Sequence, residues 1–256
     1  MRTIESGENE AYLDLLCRVF NLDPSRARSV FFSEPFYRLS AKWALFEDRR
    51  MMAILTSTPL TFGWGKAIGI AGVATEPKDR GRGLGTLMLD RVLEASKEEG
   101  FGAAMLFAHR RNLYERVGFE LVDEVIKGDL RVSAAPEPKA SDELSAVQVQ
   151  AIYDEWARQD PARLRRDEQR WHYWKWITRS CTRMGKGYIC QEPGICREAI
   201  LPSDVPEWPL PPATTWVGLR NLARQGGVPL RNEESHLLVM AKGFPMQPLM
   251  FMTDQF

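Results

Sequence analysis

Between residues 68 and 98 the chain passes from a small, apolar, β-prone stretch, Ile68 to Thr75, through Arg80-Gly81-Arg82-Gly83-Leu84-Gly85 into an amphipathic helical pattern. Glu76-Pro77 ends the strand, and Leu84, Leu87, Met88, Arg91, Val92 and Ala95 recur at helical spacing. Glycines at 81, 83 and 85 permit turns with φ > 0 and remove side chains that would hold a ligand away from the backbone. A turn of this kind leaves the first amides of the helix unpaired at its positive dipole end, which suits a phosphate or pyrophosphate. Two common phosphate loops are excluded. No Gly-Lys-Ser/Thr follows, as a nucleoside-triphosphate loop requires, and the glycines do not fall as Gly-x-Gly-x-x-Gly. Taken alone, the run is either a ligand loop or an ordinary tight turn.

A second strand pattern, Ala103 to Ala108, follows, and then His109 to Asn112 and Tyr114-Glu115-Arg116-Val117-Gly118-Phe119. On these residues the chain resembles the GNAT superfamily of N-acetyltransferases. Arg80-x-x-Gly83-x-Gly85 is similar to its acyl-CoA loop. Tyr114-x-x-x-Gly118-Phe119 is similar to its second signature, a short helix carrying a tyrosine near the thioester. The resemblance covers roughly the first half of the chain. It implies an α+β fold, a mixed and mostly antiparallel sheet flanked by helices, over residues 1–131.

Elsewhere the composition is that of a globular protein. Lys+Arg and Asp+Glu both number 34, so no net field draws the chain to nucleic acid or to a membrane. No apolar run approaches the ~20 residues that cross a bilayer, and the first residues lack a secretory core, so a soluble cytoplasmic protein is expected. Cys17, Cys181, Cys190 and Cys196 contain no Cys-x-x-Cys spacing; buried free thiols are expected, and no metal. The oligomeric state is not encoded in any pattern, and a homo-oligomer stays open.

Residues 8–20 and 24–31 read as helices, and 43–60 as a hairpin around Glu47-Asp48-Arg49-Arg50. Residues 132–141, poor in large apolar side chains and carrying two prolines, read as a linker. Beyond it, 142–256 reads as a second, smaller α+β domain. It has helices at 144–156 and through Trp171 to Trp176, strand pieces at 187–191 and 195–201, a helix near 216–224 and an apolar run at 237–241. This order echoes the first half, so the segment is either a degenerate GNAT-like copy or an unrelated domain. The aromatic cluster Trp171, Tyr173, Trp174 and Trp176 reads as packing between halves. Arg163, Arg165, Arg166 and Arg170, interspersed with acids, read as a solvated helix face.

The resemblance implies an acetyl-CoA-dependent N-acetyltransferase that moves an acetyl group to a primary amine of a small molecule or peptide, by direct attack in a ternary complex. It places the pyrophosphate at Arg80, Gly81, Arg82, Gly83, Leu84, Gly85 and Thr86, and the pantetheine beside Val73, Ala74 and Thr75. Asn112 either touches the cofactor or caps the helix bearing Tyr114, with capping preferred. Tyr114 is the expected general acid, because a phenol holds its proton at neutral pH. A GNAT domain followed by a degenerate second one also resembles the enhanced-intracellular-survival type of multi-amine acetyltransferase. In that type the terminal carboxylate enters the active site. The carry-over falls on Phe256 or Asp254, although that type's third, sterol-carrier-like domain is missing or much reduced here. His109 is a weaker candidate base. The alternatives are a non-catalytic acyl-CoA-binding regulatory protein and a purely structural domain.

Overall fold

The computed structural model of the protein describes residues 1–131, 142–178, 180–201, 208 and 214–256. The 132–141 linker, and most of the proline-rich stretch from 202 to 212, lie outside the described residues.

The first half runs β1 (Arg2–Thr3), α1 (Asn9–Phe20), α2 (Pro24–Ser33), β2 (Lys42–Glu47), β3 (Arg50–Phe62), β4 (Gly65–Thr75), α3 (Leu84–Glu98), β5 (Ala103–Ala108), α4 (Asn112–Glu115) and β6 (Glu120–Leu130). Local chemistry sets these boundaries. Asp23 accepts the Arg26 N–H at 2.7 Å, and Pro24 opens the helix it caps. Asp48 and Arg49 both take left-handed φ, 47° and 65°, which closes the hairpin in two residues.

The second half runs α5 (Ala146–Arg158), β7 (Leu164–Arg165), α6 (Glu168–Ile177), β8 (Ser180–Met184), β9 (Gly187–Gln191), β10 (Ile195–Cys196), β11 (Ala199–Ile200), β12 (Thr215–Leu219), α7 (Arg220–Gln225) and β13 (Leu230–Lys242). Residues 216–219 are strand rather than the expected helix, because Thr215-Trp216-Val217 favours extended backbone and β6 offers a free edge. Helix begins only at Arg220. Strand β8, not anticipated, forms a hairpin with β9.

Among the described residues ten strands form one sheet, in the order β1-β2-β3-β4-β5-β13-β6-β12-β10, with β7 on β3. Strands β8, β9 and β11 form a smaller sheet. Strand β13 lies between β5 and β6 and pairs antiparallel with both. A strand from the C-terminal half thus separates two consecutive strands of the N-terminal half. The division into 1–131 and 142–256 marks a change along the chain, not a break in the sheet.

Helix α3 covers one face of the sheet, packing Met88, Leu89 and Val92 on Ile68, Ile70 and Leu106. Leu87, expected on that apolar stripe, is instead 43% exposed. Helices α1 and α2 cover the opposite face, with Tyr12, Leu15 and Phe31 over Ile54 and Ala74. A third cluster joins the C-terminal half to this face, with Trp171 and Trp174 buried in it, as the inter-half packing reading expects. All four cysteines are free and buried. Among the described residues no helix is long and apolar enough to cross a membrane, and no group of three His, Cys, Asp or Glu side chains is placed to hold a metal ion.

Candidate functional site

Strands β4 and β5 pair in parallel only from Ala67–Ala103 to Ile70–Leu106, and beyond that they part. The divergence is built into β4. Its register with β3 shifts between Ile54–Ala74 and Thr56–Ala71, and Gly72 in this bulge has φ +60°. A cavity of about 520 Å³ opens where the strands separate.

The cavity reaches both faces of the sheet. Val73, Leu113 and Tyr114 line it and pack with the α3-side cluster. Phe107, Leu237 and Phe256 line it and pack with the cluster on the opposite face. Two reactants could therefore meet through the opening from opposite sides.

On the α3 side, Gly81 and Gly83 have φ of +82° and +74°, and a Cβ at either would meet nothing within 4 Å. These two positions are left-handed and face open space. Gly83 is the N-cap of α3 and supplies no side chain; its carbonyl accepts the Leu87 N–H at 3.1 Å. Among the described residues the amides of Gly81, Arg82 and Gly83 make no hydrogen bond. Leu84, Gly85 and Thr86 form the uncapped first turn of a 15-residue helix. Gly85 is not left-handed, and a Cβ there would meet Leu113 at an ordinary contact distance of 3.5 Å.

The two arginines of the loop differ. Arg82 donates to Asp79 at 3.0 Å and to Glu47 at 3.0 Å, while Arg50 also holds Asp79. Expected as a phosphate contact, Arg82 instead has its charge neutralised by two carboxylates, and it shapes the loop. The hydrogen bond from Arg50, with that from Arg82, holds the Asp79 carboxyl below its ordinary range. Arg80 is exposed and has no partner among the described residues. Asn112 does not cap α4: its N-cap is Arg111 and no side chain bonds to the helix start, so the capping expectation fails. Asn112 is exposed and faces solvent.

Tyr114 lines the cavity with its hydroxyl bound to no described residue, and its ring packs edge-on to Phe119 at 6.3 Å. Burial raises its pKa above the ordinary phenol value. Val73 lines the cavity, whereas Ala74 is turned under α1 and Thr75 stays in the ladder opposite Ala53. Of the three, only Val73 offers its side chain. Glu76 is engaged by Arg18 at 2.8 Å. His109, exposed at the end of β5, lines the cavity with its ring 6.4 Å from that of His236.

On the other face, the C-terminal residues enter the cavity. A Cβ on Gly69 would lie 2.5 Å from the Phe256 ring, so glycine at 69 is what allows the ring to lie on β4. Phe107 flanks it at 5.4 Å. The tail is anchored from behind by a buried ionic cluster. Arg166 donates to Asp254 at 2.8 and 2.9 Å and to Glu198 at 2.7 and 3.0 Å, and all three side chains are wholly buried. Burial opposes the Arg166 charge, but Asp254 and Glu198 outweigh it and hold its pKa well up. Trp174 and Tyr188 donate to Glu198, and Arg170 bonds the Asp254 carbonyl at 3.1 Å and the Pro59 carbonyl at 3.0 Å.

Two expectations fall here. Arg166 and Arg170 are not a solvated face; they are buried because the tail and Glu198 satisfy them. Asp254, sealed against Arg166, cannot reach a substrate. Sequence reasoning missed this cluster because Arg166 and Asp254 lie 88 residues apart with no shared motif.

Residues 1–122 match the model of the acetyltransferase (GNAT) domain. The fold likeness continues through the second half. A GCN5-related N-acetyltransferase from Kribbella flavida superposes with TM-score 0.70 at 15% identity, over 94% of this chain and 70% of that one. A putative acetyltransferase from Pyrococcus horikoshii gives 0.67 at 13% identity, over 96% and 90%. Eis1 from Mycobacterium abscessus gives 0.62 at 14% identity, over 93% and 72%. No curated protein matches the sequence. The match assigns residues 1–122 to a GNAT acetyltransferase domain, which makes the protein an acyltransferase.

Proposed function

We propose that the protein is an N-acetyltransferase that takes its acetyl group from acetyl-CoA and passes it to a primary amine by direct attack, with both reactants bound together. The observation that carries this reading is the uncapped start of α3, with left-handed glycines at 81 and 83 facing open space, next to a through-sheet opening lined by Tyr114. Free amides converging at a helix start are the chemistry a diphosphate needs, so the residues present fit the co-substrate. Its phosphates would rest on the amides from Gly81 to Thr86, with Arg80 supplying charge and Val73 flanking the arm.

Acetyl-CoA supplies the acetyl group as a thioester, whose C–S bond breaks as the C–N bond forms, with one proton lost from nitrogen and one gained by sulfur. The chain's own groups manage those protons. In this reading Tyr114 Oη, a phenol whose hold on its proton burial strengthens, gives a proton to the departing sulfur. On the opposite face the α-carboxylate of Phe256 is the proposed proton acceptor for the amine, and the Arg166 cluster fixes its position. Holding the reactants on either side of the opening lowers the barrier by orientation, an effect worth up to roughly 7–11 kcal/mol in well-aligned systems.

The 142–256 segment fits a degenerate second copy of the fold. It repeats the order of elements, but α7 has only six residues and no glycine turn precedes it. Its role in this reading is to hold the tail and supply β13.

Calorimetric titration with acetyl-CoA, together with thiol release in the presence of amines, tests the proposal. Acetyl-CoA binding and amine-dependent release are expected; absence of acetyl-CoA binding at millimolar concentration would refute it. A chain extended by one glycine after Phe256 should bind acetyl-CoA normally and lose turnover.

A further inference from the structure

Resting on the acetyl-transfer reading above, we infer that the amine acceptor is a monoamine with an aromatic or aliphatic body, not a polycation. The acceptor side of the cavity is walled by Phe20, Phe107, Leu237 and Phe256. Among the described residues lining the cavity none is Asp or Glu; the ionisable side chains there are His109, Arg110 and Tyr114. A second or third ammonium entering this space would lose its water, find no carboxylate side chain and face Arg110.

The acids on the neighbouring elements do not make up the deficit. Glu10 pairs with Arg28, Glu34 with Lys42 and Glu76 with Arg18, while Asp23 caps α2. On the β13 side Glu233 pairs with Arg220. Asp14 and Glu234 lie outside the cavity lining. Within the lining contributed by the described residues, the negative group is the α-carboxylate proposed as base, which serves one nitrogen.

The apolar walls also favour the reactive form of that nitrogen. A desolvated ammonium loses its proton more readily than one in water, and the neutral amine is the species with a lone pair to attack. An apolar body that fills the space beside Phe20 and Leu237 is held by the same walls. Phe20, 47% exposed at the end of α1, forms the outer lip, so a substitution there changes the entrance without opening the core.

The test is a comparison of kcat/KM, by thiol release, for 2-phenylethylamine, spermidine and kanamycin, with acetyl-CoA binding measured separately by calorimetry. Phenylethylamine is expected to exceed both polycations by at least about tenfold. A Phe20→Glu variant, with acetyl-CoA affinity retained, is expected to reduce that ratio by about tenfold or more by supplying the missing carboxylate. Preference for either polycation would overturn the inference, as would acetyl-CoA binding with no turnover of phenylethylamine, or an unchanged ratio in the variant. These outcomes leave the acetyl-CoA loop standing. Absence of acetyl-CoA binding would overturn both readings.

Discussion

At the start of α3 the amides of Gly81 to Gly83 reach no acceptor among the described residues and border open space. At Arg166 the opposite holds: Nε, Nη1 and Nη2 all meet carboxylate oxygens, and the side chains involved have no exposure. Both regions concentrate polarity, and both adjoin the same cavity indirectly: Gly85 in the first approaches Leu113 of its wall, and the second holds the tail that enters it. Donors left unpaired at a surface are available to a ligand, whereas donors saturated in the interior can only hold their partners still. In the proposed reading the first region binds and the second positions, and each can be perturbed without the other.

The largest effect should come from the saturated region. Arg166→Met leaves Glu198 and Asp254 buried without their cation, and breaking such a cluster costs about 3–5 kcal/mol. Denaturant unfolding should show that loss. Adding Glu198→Gln and Asp254→Asn should recover part of it, because the uncompensated charges are then gone. If Arg166→Met unfolds like the wild type, the cluster is not what holds the tail.

Tyr114→Phe comes next and acts on the open side alone. Loss of a general acid should lower kcat by about 100-fold, equivalent to about 2.7 kcal/mol in the barrier, while acetyl-CoA affinity stays near wild type. Because burial raises the Tyr114 pKa, its proton is retained beyond the ordinary phenol value of ~10. Wild-type turnover should therefore not fall between pH 7 and pH 9 through this group. Equal turnover in the phenylalanine variant would leave Tyr114 as a packing aromatic.

What the sequence discloses divides along the same line. The loop and its flanking strands are legible because each rests on local chemistry: glycines where φ is positive, a break at Glu76-Pro77, and helical spacing after Leu84. Tyr114 stands out only through the resemblance of Tyr114-x-x-x-Gly118-Phe119 to a family signature. Helices α1, α2, α5 and α6 and the 43–60 hairpin are legible for the same reason. The insertion of β13 between β5 and β6 is not, since β13 reads simply as an apolar run and its partners lie more than a hundred residues away. Strand β12 was hidden by a pattern that continues into α7. Arg166 looked solvated because its neighbours Arg165 and Asp167 are polar; only tertiary pairing with Asp254 and Glu198 reverses that. Local signals show where a site can form, and non-local pairing decides which residues complete it.

Gly83→Ala should have a smaller effect and sharpen the comparison. Space is not the constraint, since a Cβ there meets nothing within 4 Å. The cost is the left-handed φ of +74°, about 1–2 kcal/mol for a residue with a Cβ. Stability should fall by that amount, and acetyl-CoA should bind more weakly because the methyl group occupies the surface offered to phosphates. Weaker binding with no stability change would place the effect on the ligand alone.

The smallest and most discriminating pair is Arg80→Gln against Arg82→Gln. Arg80 has no partner among the described residues, so its charge is available to a phosphate, and that interaction is screened by salt. Its removal should weaken acetyl-CoA binding and flatten the dependence of affinity on ionic strength. Arg82 is already neutralised by Asp79 and Glu47, so its removal should change affinity by less than about threefold at ordinary salt. Affinity measured by calorimetry at low and high salt separates the two. If Arg82→Gln proves the more damaging and the more salt-sensitive, then Arg82 leaves its carboxylates when acetyl-CoA arrives. The boundary between groups that bind and groups that position would then have to be redrawn through the loop itself.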